Sequence, residues 1–149
     1  MGWRAWRSWA SSSATATTAT SGASISSVQF FVDGTPSVAD VYDTATSSWK
    51  TILVAGLNKG GKGFYALDIT NPTAPKALWE FGYSATCYNG TAGTAGGDCN
   101  LGYSYGNPSI AKLSNGTWVV FVTSGYNNFS PGNGQGYLYV IDAQIGRAS

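Results

Sequence analysis

Histidine is absent from this chain. The usual general base at neutral pH and the commonest metal ligand go with it. Neither a Ser-His-Asp nor a Cys-His catalytic arrangement can be assembled within the chain. Charge is also scarce, at 10% of residues with a net charge of +1. That leaves no field to draw in nucleic acid or an anionic membrane surface. Low charge together with 14% aromatic residues is the opposite of the disordered signature. No apolar run approaches the roughly 18 residues of a membrane-spanning helix, so no membrane span is expected. Cysteine occurs twice, at Cys87 and Cys99. Two thiols without histidine cannot supply the four ligands of a structural zinc site. The two cysteines enclose a Gly/Thr/Ala/Asn loop. In a charge-poor chain that pattern predicts a disulfide and an oxidising compartment, with two free thiols as the alternative. An unstrained bridge across so short a loop contributes about 3 kcal/mol.

What the chain has is glycine, aromatic residues and an internal echo. Thr35-Pro36-Ser37-Val38-Ala39-Asp40-Val41 returns as Asn107-Pro108-Ser109-Ile110-Ala111-Lys112-Leu113. Trp49 to Gly56 returns as Trp118 to Gly125, and Gly63 to Asp68 returns as Gly136 to Asp142. Pro36 to Pro108, Trp49 to Trp118 and Asp68 to Asp142 are 72, 69 and 74 residues apart. Several short strands repeated in fixed order mark a propeller, whose blades cannot bury their faces alone. The predicted fold class is therefore all-β: a β-propeller fragment of about two mostly antiparallel, four-stranded blades. Strands are expected near Pro36–Val41, Trp49–Leu57, Gly63–Asp68 and Ala77–Gly82. A cysteine loop follows over about 84–103. A second unit runs from Gly106 through Asp142, its fourth strand falling beyond Ser149. No segment reads as a helix of ordinary length. Open blade edges would need neighbours to cover them.

Gly56-Leu57-Asn58-Lys59-Gly60-Gly61-Lys62 fits the first seven places of a phosphate-binding loop. Gly63 stands where Ser or Thr should hold magnesium, and a strand pattern follows where a helix should begin. A hairpin turn is the better reading. Asp33, Asp40 and Asp43 lack the alternating oxygen ligands that calcium requires. Asp68 and Asp142, at equivalent strand ends, are expected to accept amide hydrogen bonds from the turns that follow. Trp49, Trp79 and Trp118 read as blade-packing residues rather than the floor of a cofactor site. The loop 126–136 is long, polar and aromatic-bearing, as recognition loops on rigid scaffolds are. Its residues Tyr126, Asn127, Asn128 and Phe129 are the candidate contact residues, with 84–103 as a second contact loop. Residues 1–27 stand outside the repeat. Trp3, Trp6 and Trp9 alternate with Arg4 and Arg7 ahead of a Ser/Thr/Ala run. That run is too polar for a signal peptide and reads as a disordered leader or the product of a wrong start or shifted frame.

An ordered set of segments carries a family resemblance. Phe31-Val32-Asp33-Gly34-Thr35-Pro36, Trp49 to Leu57, Gly60 to Thr70 with Pro72, Leu78-Trp79-Glu80-Phe81, Leu101 to Pro108 and Gly125-Tyr126-Asn127 succeed one another as in the PilC/PilY type IV pilus tip proteins. The chain resembles their propeller domain from about Phe30 to Gly146, which places a partial domain of that type at 28–149. Ile145 departs from the pattern, standing where a Thr-Gly turn usually reads Thr. The resemblance implies a non-enzymatic structural and binding module of a pilus biogenesis and adhesion protein. It implies an extracellular or cell-surface location, at the pilus tip or outer membrane. The implied partners of the full-length protein are minor pilin proteins of the pilus tip and host or abiotic surfaces. It implies no cofactor in this fragment. The family's calcium loop has no counterpart here, although the full-length protein could bind calcium. Two alternatives stand beside this reading. Ala66-Leu67-Asp68 followed by Trp79 is similar to the docking motif of quinoprotein propellers, which points to a quinone-dependent dehydrogenase. Those enzymes use a disulfide between adjacent cysteines near the cofactor, and Cys87 and Cys99 are not adjacent. The other alternative is a generic glycan- or protein-binding surface propeller.

Overall fold

The architecture is that of a computed structural model, which describes residues 32–87 and 96–148. The reading of residues 1–27 lies outside the described residues. Eight strands run in chain order: β1 (Ser37–Asp43), β2 (Ser48–Gly56), β3 (Gly63–Asp68), β4 (Lys76–Tyr83), β5 (Gly97–Asp98), β6 (Ser109–Lys112), β7 (Trp118–Thr123) and β8 (Leu138–Asp142). Among the described residues there is no α-helix. β1 to β5 form one sheet in sequence order, and β6 to β8 form a second. Neighbouring strands are antiparallel except β5, which lies parallel to β4 through Gly82–Gly97 and Tyr83–Asp98. Short strands joined by polar, glycine-bearing turns thus give two blades of the expected order.

The turns form for local reasons. Between β1 and β2, Asp43 accepts hydrogen bonds from the Ala45 amide and the Thr46 hydroxyl, and its carboxylate meets Lys50 Nζ at 2.6 Å. Between β2 and β3, the amide of Leu57 donates to the Gly63 carbonyl at 3.0 Å. The phosphate-loop-like segment is therefore a hairpin that runs straight into β3. Its Lys62 ammonium lies over the Tyr83 and Tyr103 rings, 5.3 and 5.8 Å from their centroids. After β3, Asp68 accepts from the amide and hydroxyl of Thr70. After β8, Asp142 accepts from the amides of Gln144 and Ile145. Both carboxylates close their turns, as expected. Past that turn, Ala148 bridges back to Ile141, where a fourth strand would start.

One face of the first sheet carries Val41, Ile52, Val54, Phe64, Ala66, Trp79 and Phe81, all buried. It packs against Val120, Val122, Tyr139 and Ile141 of the second sheet. The inner strands meet at Ser37, whose hydroxyl donates to the Pro108 carbonyl at 2.6 Å. At the outer edge, Trp79 Nε1 donates to the Ala143 carbonyl at 2.8 Å. The Phe81 and Tyr139 rings lie 5.1 Å apart. Trp79 is therefore the blade-packing residue that its sequence context predicts.

Trp49 packs far less closely. It is 59% exposed, meeting the Tyr42 ring in its own sheet and the Trp118 ring across the blades edge-on. Trp118 is half-buried against the core, and its indole N–H is buried without an acceptor among the described residues. The cause is register. Ile52 pairs with Asp68, whereas Val119 pairs with Asp142. Val38 pairs with Leu53, whereas Ile110 pairs with Val120. Both neighbours thus set β7 at 67 residues from β2 (119 minus 52, 120 minus 53). On that register Trp118 takes the place of Thr51, and Trp49 sits two positions nearer the turn.

Candidate functional site

At the end of the blades where β2 and β7 finish, two loops join into one body. The chain leaves β7 through Ser124 and Gly125. There it pairs with the segment that precedes β6. Gly102 donates to the Ser124 carbonyl at 2.7 Å, and Tyr103 and Tyr126 exchange backbone bonds of 2.7 and 3.0 Å. Asn128 braces the interior of the loop. Its side-chain amide donates to the carbonyls of Asn100 at 3.0 Å and Gln135 at 2.6 Å. Asn100 in turn accepts from the Asn133 amide at 3.2 Å. Gly134 has φ of +74°, and a Cβ built there would meet the Phe129 ring at 2.6 Å. A glycine is needed on both counts.

Beneath this rim, Tyr139 donates its hydroxyl to the buried Asp98 carboxylate at 2.7 Å. Burial, the hydrogen bond to Asp98 and the charge of Asp98 all push the Tyr139 phenol far above its ordinary value. The group is a fixed donor, not a proton shuttle. Asp98 lies on β5, and the neighbouring Cys99 is joined to Cys87 by a disulfide with Cα atoms 4.5 Å apart. The bridge pins the start of the cysteine loop to the outer edge of the first blade. The expected pairing of the two cysteines is the one the structure has. Residues 88–95, in the middle of that loop, lie outside the described residues.

The four candidate contact residues divide. Tyr126 and Phe129 are 69% and 66% exposed. Asn127 occupies the left-handed region at φ 61° and forms the tight corner between them. Asn128 is buried. Its polarity suggested a surface contact, but both of its amide hydrogens serve the loop interior. It is a brace, and the correction follows from the two carbonyls it reaches. Sequence reading also passed over β5 and the Asp98–Tyr139 bond. Two residues of strand between a turn and a cysteine give no periodic signal, and the bond joins groups 41 residues apart.

The carboxylates do not gather. Among the described residues no three His, Cys, Asp or Glu side chains come close enough to hold a metal. Asp40 accepts from the Thr51 hydroxyl at 2.6 Å, and Asp43 is engaged by Lys50. These residues do not fit a calcium site. The bond to Lys50, then the bond from Thr46, holds the Asp43 carboxyl down from 3.8 to about 2. At Asp68 burial works upward, but the two bonds from Thr70 outweigh it and the carboxyl is lowered. Both shifts arise from hydrogen bonds within turns. The arrangement is a rigid rim with two exposed rings, suited to contact.

Residues 12–149 match the family model described as the PilY1 beta-propeller domain. The chain belongs to this family. The type IV pilus biogenesis factor PilY1 of Pseudomonas aeruginosa strain PAO1 is 38% identical over 118 residues, covering 79% of this chain. A PilY1 homolog of Xylella fastidiosa strain Temecula1 is 37% identical over 121 residues, covering 81%. In each case the chain spans only 9% of the relative's length. The crystal structure of the Pseudomonas aeruginosa PilY1 C-terminal domain superposes with a TM-score of 0.61 at 36% identity. It covers 77% of this chain, which spans 20% of that domain. The fold of this chain is thus an all-β part of a PilY1-type propeller, with a Cys87–Cys99 disulfide. No helix among the described residues is long and apolar enough to cross a membrane.

Proposed function

We propose that this chain is a scaffold and contact segment of a type IV pilus biogenesis and adhesion protein, displayed at the pilus tip or cell surface. The observation that carries the reading is the braced rim. Tyr126 and Phe129 are presented outward from a loop whose interior bonds run through Asn128, Asn100 and Gln135. Exposed aromatic rings on a rigid base give contact area at low entropic cost, as interface anchors do. The disulfide supports an oxidising, extracytoplasmic setting. The partners proposed are minor pilin proteins of the pilus tip and host or abiotic surfaces, reached through the full-length protein. The role is non-catalytic. Deleting the full-length gene and scoring surface pili, twitching and attachment tests the reading. Loss of at least one is expected. Normal values on all three, with quinone-dependent alcohol oxidation by the purified protein, would replace this reading with the dehydrogenase alternative.

A further inference from the structure

The segment that leads into β6 bridges the loop ends of both sheets. Ser104 pairs with Asn58 on one side, and Tyr103 pairs with Tyr126 on the other. Ser104 is fully buried. Its hydroxyl accepts from the Leu57 amide and donates to the Gly63 carbonyl. The turn that carries Lys62 is thereby fastened to the bridging segment at both of its ends. Ser104 points inward, so its neighbour Tyr103 points the other way. Tyr103 and Tyr126 exchange both of their backbone bonds, and residues opposed in this manner project to the same side. The Lys62 ammonium lies over the Tyr103 ring and over the Tyr83 ring. Tyr83 is held beside it by a backbone bond of 2.9 Å to the Lys62 carbonyl. One surface therefore carries Tyr83, Lys62, Tyr103 and Tyr126 in succession. It belongs to the loop end of the blades, apart from the sheet faces on which blades stack. Lys62 forms no ion pair among the described residues. Asp98, opposite Tyr83, is buried and receives the Tyr139 hydroxyl. Two ring faces attract an ammonium without neutralising it.

We propose, resting on the contact role above, that this surface binds a carboxylate-bearing saccharide such as a uronic acid polymer. The Lys62 ammonium takes the sugar carboxylate in a charge-assisted hydrogen bond. The rings beside it offer flat apolar faces to the C–H faces of the sugars, with a phenol hydroxyl at each rim. The exposed side chains next to Tyr126 include the amides of Asn127 and Gln135, which match sugar hydroxyls as donors and acceptors. Lys62 sets the charge of the ligand and Tyr126 extends its length.

Calorimetric titration of the disulfide-intact chain with three probes tests this. Hexagalacturonate carries rings and charge, its full methyl ester keeps the rings without the charge, and hexaglutamate keeps the charge without the rings. Hexagalacturonate should bind about tenfold more tightly than either of the others. That advantage over the ester should vanish in about 0.5 M salt. Lys62→Met keeps the stem against the rings and should lower the affinity for hexagalacturonate to that for the ester. Tyr126→Ala should weaken acid and ester alike, by about fivefold. No binding of hexagalacturonate, or equal binding of acid and ester by the wild-type chain, would overturn the proposal without recourse to any variant. Hexaglutamate binding as tightly as the sugar would replace the saccharide with an acidic peptide. Unchanged affinity in Lys62→Met with wild-type circular dichroism would place the ligand elsewhere. Binding is read on the purified chain and the pilus role by gene deletion, so either reading can fail without the other.

Discussion

Replacing Trp79 should loosen the contact between the two blades. The ring is 7% exposed and sits between the two blades. Its indole N–H holds the Ala143 carbonyl at 2.8 Å across a sequence gap of 64 residues. A Cβ built on Gly146 would meet its Cγ at 2.5 Å, so the ring lies flat on the turn after β8. Trp79→Ala should therefore cost about 3–5 kcal/mol, as for a buried aromatic truncated to alanine. Domains of this size have about 5–15 kcal/mol in all. Trp79→Phe keeps most of the volume and loses the hydrogen bond, which isolates about 1 kcal/mol for that bond plus the cost of an unpaired carbonyl. Gly146→Ala approaches the same contact from the other side, because φ there is +66° and the space is taken. The measurement is urea unfolding of the dilute chain followed by far-ultraviolet circular dichroism, comparing midpoints at constant slope. Trp49→Ala is the internal control: at 59% exposure it should cost under about 1 kcal/mol. Equal losses at the two tryptophans, or a Trp79→Ala midpoint close to wild type, would refute the blade-docking account.

Asn128→Ala should destabilise by about 1–3 kcal/mol because it strands two carbonyls, while Phe129→Ala leaves the melt unchanged and lowers attachment by the full-length protein; the reverse pattern would exchange their roles. The Asp43 carboxyl is depressed from 3.8 to about 2, so its contribution is complete above pH 4 and is lost as pH falls through that window. Asp43→Asn should flatten the fall in stability between those pH values, and an unaltered profile would sever the turn from it. Peptide mapping under non-reducing conditions should find Cys87 and Cys99 linked, and Cys87→Ser should cost about 3 kcal/mol for the loop it opens; two alkylatable thiols in the native chain would refute the pairing.

Most of the blade order was legible because period-two burial and turn chemistry are local properties. The Trp79-Glu80-Phe81 alternation in β4 shows directly which side faces the core. Asp68 and Asp142 each close a turn within three residues, so their role needs no tertiary information. Asn128 illustrates the limit. Nothing in Asn127-Asn128-Phe129 says which asparagine turns inward. That is decided by the carbonyls of Asn100 and Gln135, one of them 28 residues away. The two-residue strand β5 was illegible for a related reason. It exists because the outer edge of β4 is open to pairing and the Cys87–Cys99 bridge holds Asp98 beside it.

The two tryptophans Trp49 and Trp118 show how a correct repeat can still mislead by a small step. Aligning the indoles spaces β2 and β7 by 69 residues, but hydrogen bonding to both flanking strands spaces them by 67. A slip of two leaves every side chain on its original face, because the strand period is two. Aligning the indoles therefore keeps inward and outward positions matched along both strands while it misplaces the partner at each position. A slip of one would have inverted the core and betrayed itself in the pattern of apolar residues. The even slip is silent in sequence, and it surfaces only where a strand end leaves a large ring uncovered. Trp49 at the start of β2 is that place. Its exposure follows from the register of the strand and not from any weakness in the packing of the blades.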